Sequence, residues 1–148
     1  MIGVSKCLAG VNCTYAGKNN LQKDIKKLVE KKKAIMLCPE VLGGLPTPRT
    51  PCEIVNGRVV DQNGIDRTYE YEKGAQLALD ICLKNNIKIV VLKKRSPSCG
   101  RGFIYDGTFS HTYVKGDGVF TKLLQQNGIK VYNEDEVEDV LKIIEKEK

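Results

Sequence analysis

"IKIVVL", residues 87–92, runs directly into "KKRSPSCGRG", residues 93–102. The first stretch is apolar apart from Lys88 and rich in β-branched residues, which reads as a strand buried on both faces. The second holds a proline, two serines, two glycines and Cys99, so it closes that strand with a loop. A strand buried on both faces needs helices on both sides. The flanking segments therefore decide the fold.

Upstream, "DRTYEYEKGAQLALDICLKNN" (66–86) places Ala75, Ala78, Leu79, Ile81 and Cys82 on one side of a long helix. Before it, "EIVNGRVVD" (53–61) carries Asn56-Gly57 between two β-branched runs, a hairpin signal. Four prolines, Pro39, Pro46, Pro48 and Pro51, predict a stiff loop without regular structure over "PEVLGGLPTPRTP" (39–51). "AIMLC" (34–38) reads as a strand ending at Cys38. "LQKDIKKLVEKKK" (21–33) reads as an amphipathic helix with Leu21, Ile25, Leu28 and Val29 inward. "MIGVSK" is a strand that ends at Cys7, followed by the Gly/Asn-rich loop "CLAGVNCTYAGKNN" (7–20).

Downstream, "GFIYDGTFSHTYVKGDG" (102–118) reads as loop or short extended chain. "GVFTKLLQQNG" (118–128) reads as a helix capped by Asp117 and closed by Gly128. "IKVYN" (129–133) is a strand. "EDEVEDVLKIIEKEK" (134–148) is a terminal helix with acids in its first turn, where the helix dipole favours them. Short apolar strands alternating with helices predict a three-layer α/β sandwich, with a mostly parallel, Rossmann-like central sheet and helices on both faces. Its 148 residues suit a single domain spanning 1–148.

Composition narrows the function classes. Hydrophobic residues make up 41% and charged residues 28%, the balance of a chain with a real core. No run approaches the roughly 18 apolar residues of a membrane span, and no secretory leader is visible, so a cytoplasmic location is expected. The formal charge of +6 comes largely from lysines on solvated helix faces such as "KKLVEKKK". With 6% aromatics and no Arg-rich run, nucleic acid is not the expected partner. Oligomeric state is not legible.

Six cysteines, Cys7, Cys13, Cys38, Cys52, Cys82 and Cys99, are many for a chain of a reducing compartment, where they point to metal or redox chemistry. No CxxC pair occurs, against a zinc ribbon or a thioredoxin motif. Cys7, Cys38 and Cys99 each follow a different predicted strand. In open α/β sheets the ligand site lies beyond the carboxyl ends of the strands, so these three thiols converge on one crevice. Three cysteines suit a 4Fe–4S cluster with one iron open; four suit a closed cluster or structural zinc. Cys13, six residues after Cys7, keeps two roles open, replacing one of the three or adding a fourth ligand. Cys82 reads as packing, and Cys52 receives no chemistry.

Polar residues of the same loops complete the candidate site. Glu40 lies two residues past Cys38 and suits a general base, unless it simply pairs with Arg49. Ser96 and Ser98 suit substrate binding or turn capping. Arg49, on a stiff backbone, suits a clamp on a substrate carbonyl or phosphate. Tyr15 suits a crevice wall, and His111 reads as surface.

"CLAGVNCTYAG", "CPEVLGGLPTPRTPCEI", "LKKRSPSCGRGFIYDGTF" and "GDGVFTKLLQQNGIKV" resemble, in order and over nearly the whole chain, the blocks of domain-of-unknown-function family 523, which includes the thiouracil desulfidases. The resemblance implies a 4Fe–4S cluster held by Cys7, Cys38 and Cys99, with catalytic roles for Glu40 and a serine of "SPSC", Ser96 before Ser98. It implies non-redox desulfuration of a thiolated pyrimidine, thiouracil giving uracil and hydrosulfide, with the open iron binding the substrate sulfur. "CTYAG" lacks the Arg and Asp that often flank the Tyr in this family, which bears on substrate preference among thiouracil, thiolated nucleosides and other thioamides. The alternative reading is a non-catalytic iron–sulfur or zinc protein that senses redox state.

Overall fold

A computed structural model describes residues 1–146. Four strands form the central sheet in the order β2 (Ala34–Leu37), β1 (Ile2–Ser5), β5 (Ile89–Leu92) and β8 (Lys130–Asn133), and every pairing is parallel. Their side chains alternate between two cores, as the period of a pleated strand requires. Ile2, Val4 and Val91 face one side, with Ile25 and Leu28 of α1 (Lys23–Glu30) and Val137 and Val140 of α5 (Val137–Lys146). Leu37, Val90, Leu92 and Val131 face the other. There they meet Ala75, Ala78, Leu79 and Cys82 of α3 (Thr68–Lys84) and Phe120 and Leu124 of α4 (Val119–Gln126). The result is the expected three-layer α/β sandwich. Among the described residues no helix is long and apolar enough to cross a membrane.

Two antiparallel hairpins stand outside the sheet. β3 (Cys52–Val55) and β4 (Arg58–Asp61) turn at Asn56 (φ 48°) and Gly57 (φ 78°), the paired positive angles behind the Asn-Gly signal. β6 (Phe103–Tyr105) and β7 (Tyr113–Lys115) form the second, where extended chain or loop was expected.

Several local expectations are corrected. Leu21 is 44% exposed and precedes α1 rather than facing inward from it. Asp117 does not cap α4: Gly118 occupies the cap position, and Asp117 accepts the Gly102 N–H instead. The acids of the last segment bind tertiary partners, with Glu134 on Lys93, Asp135 on Lys94 and Glu136 on Arg101. They tie the exit of β5 to the exit of β8, which the dipole alone does not explain.

The largest correction is α2 (Pro39–Leu42), a single helical turn inside the proline-rich segment. Pro39 sits at the first helical position, where its missing N–H costs nothing. Two glycines let this turn lie against α3. A Cβ on Gly43 would stand 1.9 Å from the Glu70 carbonyl oxygen, and one on Gly74 would stand 1.7 Å from the Pro39 carbonyl oxygen. No other residue permits that approach.

Gly74→Ala is therefore expected to push α2 off α3. Overpacking of this kind costs about 1–3 kcal/mol. A matching drop in the urea midpoint at unchanged slope checks it.

Candidate active site

β1 connects through α1 to β2 on one side, whereas β5 connects through α4 to β8 on the other. Loops leaving β1 and β5 diverge, and a crevice opens beyond their carboxyl ends. Its volume is about 830 Å³. Cys7, Cys13, Cys38 and Cys99 all line it, with Glu40, Arg49, Ser96 and Tyr15. Cys7 sits in the 3₁₀ turn Lys6–Ala9 that follows β1, and Cys38 is the residue before α2. Cys99 lies in the turn after β5, where its carbonyl accepts the hydroxyl of Thr121 on α4 at 2.9 Å.

The thiols are not equivalent. Cys13 hydrogen-bonds with Cys38 and with Cys7, and these contacts hold Cys13 protonated, its pKa far above the usual thiol range. The same contact brings Cys38 down to about 7, against the opposing cost of burial and with help from the Val41 N–H. Cys7 is likewise lowered, first by Cys13 and then by the Asn20 side chain and the Lys93 charge, while burial opposes. Burial raises Cys99, and the charges of Glu40 and Cys38 add to it. The crevice thus holds two thiols inclined to ionise, one kept neutral between them, and one raised by its burial. Cys82 lies in the core, pushed up to about 11 by burial, as a packing residue should be.

The Arg49 guanidinium has five N–H donors, and all are engaged within the protein. Nε bonds Glu40 Oε2 at 2.9 Å and one NH2 hydrogen bonds the same oxygen. The other groups reach the Pro46 carbonyl at 3.2 Å, Thr47 Oγ1 at 3.1 Å and the Cys13 carbonyl at 3.0 Å. Arg49 therefore has no donor left to clamp a substrate, which corrects that expectation. It holds the carboxylate of Glu40 and the Cys13 loop in register. Both contacts fall on Oε2, so Glu40 Oε1 is without a partner among the described residues.

The two serines separate. Ser96 Oγ lines the crevice and accepts the backbone N–H groups of Ser98 and Cys99, each at 3.1 Å. With its acceptor side occupied, its hydroxyl hydrogen is free to point at a ligand. Ser98 is fully buried and does not line the crevice, and its Oγ has no partner among the described residues. Tyr15 stands half-exposed at the rim, its carbonyl accepting the Arg49 N–H at 2.7 Å. His111 is exposed but also reaches the rim.

Sequence reading missed further crevice residues. Asn20 and Lys93 act on Cys7. Cys52 lines the crevice and hydrogen-bonds with the Tyr71 hydroxyl. Phe109 arrives from the second hairpin. Only "DGTF" within the quoted blocks hinted at it.

The donor set fits an iron–sulfur cluster. Four thiols reach the crevice from loops after three different strands, which spreads them around its volume. A cluster is ligated through several irons and needs its thiolates spread around it.

A family model described as 2-thiouracil desulfurase matches residues 2–136. The chain is 45% identical to the uncharacterized protein YbbK of Bacillus subtilis (strain 168), over 95% of this chain and all of that one. It superposes on a solved structure described as the [4Fe-4S]-dependent thiouracil desulfidase TudS (DUF523Vcz) with a TM-score of 0.92. The two are 40% identical, and the match covers 97% of each chain.

Two outcomes test this geometry. In cluster-free protein, iodoacetamide should alkylate Cys38 with a rate that climbs through pH about 7, because the thiolate is the reactive form. Cys82 should stay unmodified in the folded state at pH 8. Arg49→Met strands a buried carboxylate and is expected to cost about 3–5 kcal/mol in denaturant titrations, part of which the added change Glu40→Gln restores.

Proposed function

The chain belongs to the 2-thiouracil desulfurase family, and we propose that it catalyses the hydrolytic, non-redox desulfuration of a thiolated pyrimidine, thiouracil and water giving uracil and hydrosulfide. The observation that carries this reading is the set of thiols from three strand exits facing a carboxylate with one free oxygen. Cys7, Cys38 and Cys99 would hold a [4Fe–4S] cluster. The solved relative is described as dependent on such a cluster. Cys13, kept protonated between Cys7 and Cys38, supports these ligands rather than joining them.

Held by Cys7, Cys38 and Cys99, such a cluster would supply a thiophilic Lewis acid for the substrate's C–S bond. The rest falls to this chain's side chains. Glu40 Oε1 takes a proton from the water that attacks the ring carbon, while Arg49 on Oε2 fixes the carboxylate's direction. Ser96 donates its hydroxyl hydrogen to the ring or to charge developing on it. Water's oxygen bonds the ring carbon as the C–S bond breaks; the sulfur leaves with that electron pair and takes the proton held by Glu40, which makes it hydrosulfide, and the remaining hydroxyl proton passes to solvent as the carbonyl forms. No electron is exchanged. Full burial, and a backbone carbonyl that accepts the N–H groups of Phe120 and Thr121, set Ser98 aside as a structural residue.

Anaerobically purified protein tests this with iron and acid-labile sulfide analysis followed by sulfide release from thiouracil. Serine at Cys7, Cys38 or Cys99 is expected to empty the site of iron, whereas Cys13→Ser retains it. Glu40→Gln is expected to keep the cluster absorbance and lose turnover by about 100-fold or more. Full activity of that variant removes Glu40 from the mechanism. A cluster-bearing protein without turnover would make it an iron–sulfur carrier.

A further inference from the structure

We propose that Phe109 is the wall on which the flat ring of the substrate stacks, and that Glu53 is the positioning residue that holds it there; this rests on the desulfidase reading above. Phe109 sits at the tip of the β6–β7 hairpin with φ 58°, and His111 follows at φ 60°. Both lie in the left-handed region, which a bulky residue occupies only when its surroundings impose it, and such outliers gather at ligand sites.

The imposing group is identifiable. Glu53, on β3, is 7% exposed, and its Oε1 accepts the Gly107 N–H at 3.0 Å and the Phe109 N–H at 3.2 Å. Gly107 itself is seated on β3, where an added Cβ would fall 2.7 Å from the Ile54 carbonyl oxygen. A buried carboxylate thus serves as anchor for a loop tip whose aromatic side chain faces the crevice.

The other crevice aromatics are occupied or loosely held. Tyr71 is buried with its hydroxyl on Cys52. The ring of Tyr105 already packs against Tyr113 at 5.1 Å and His111 at 6.2 Å. Tyr15 is 50% exposed on the Gly/Asn-rich loop. Phe109 pairs with no other ring among the described residues. A pyrimidine offers a π-face whether it carries sulfur or oxygen, so this wall would bind substrate and product alike. Such binding is uniform, so it lowers KM without raising kcat.

Cluster-loaded Phe109→Ala, Phe109→Tyr, Glu53→Ala, Glu53→Gln and Tyr15→Ala enzymes test the assignment with thiouracil kinetics, uracil binding by calorimetry and amide exchange at Gly107 and Phe109. Phe109→Ala and Glu53→Ala are expected to raise KM and the uracil Kd about tenfold, the loss typical of one stacked base, with kcat within about twofold. Phe109→Tyr keeps the ring, and Glu53→Gln keeps the accepting Oε1, so both should stay near wild type. Exchange at the two amides should speed up in Glu53→Ala alone. An unchanged KM in Phe109→Ala beside an active wild type overturns this inference and leaves the desulfidase reading standing. So does an increase confined to Tyr15→Ala, and unchanged exchange in Glu53→Ala removes the anchor. A wild type without thiouracil turnover removes both.

Discussion

Because β1 pairs in parallel with both β2 and β5, the chain leaves three strands at the same edge of the sheet. Everything chemical in this protein follows from that shared edge. Cys7, Cys38 and Cys99 lie far apart in sequence, yet each comes just after one of those exits. The divergence of the β1 and β5 loops opens the crevice that receives them. An antiparallel arrangement of the same strands would send alternate exits to opposite ends of the sheet, and no crevice would hold three such thiols.

Holding the loops in place takes a second tier of contacts. The Gly43–Gly74 approach lets α2 lie on α3 and so carries Cys38 and Glu40 into the crevice. Arg49 then joins Glu40 to the carbonyl of Cys13, making one unit of the Glu40 carboxylate, the neutral thiol and the proline-rich segment. Across the crevice, Glu134, Asp135 and Glu136 grip Lys93, Lys94 and Arg101, which brace the turn bearing Ser96 and Cys99. The site is held from both walls by ion pairs, with Arg49–Glu40 the most buried and Lys94–Asp135 exposed.

Within that frame the thiols have different characters. Cys13 keeps its proton between Cys7 and Cys38 and draws both neighbours toward the ionised form that a soft metal requires. Sequence spacing left Cys13 open as a ligand; the structure places it between two lowered thiols. Arg49 changed role in the opposite sense, from substrate clamp to internal brace, because every donor it has is already engaged.

The amino-acid sequence by itself determined the layers, the Asn56-Gly57 hairpin and the three strand-end cysteines, since period-2 and helical patterns and a tight turn are local properties of the chain. The ordered blocks from Cys7 to Val131 also made the family legible. Tertiary structure alone decided the rest. Proline content concealed the turn α2, because its stability comes from glycine contact with α3, which lies far along the chain from the local pattern. Ser96 parted from Ser98, Arg49 turned inward, and Glu53 met the tip at Phe109 for one physical reason: hydrogen-bond partners and burial are set by which segments meet in space, and residue type specifies only what each group can donate or accept.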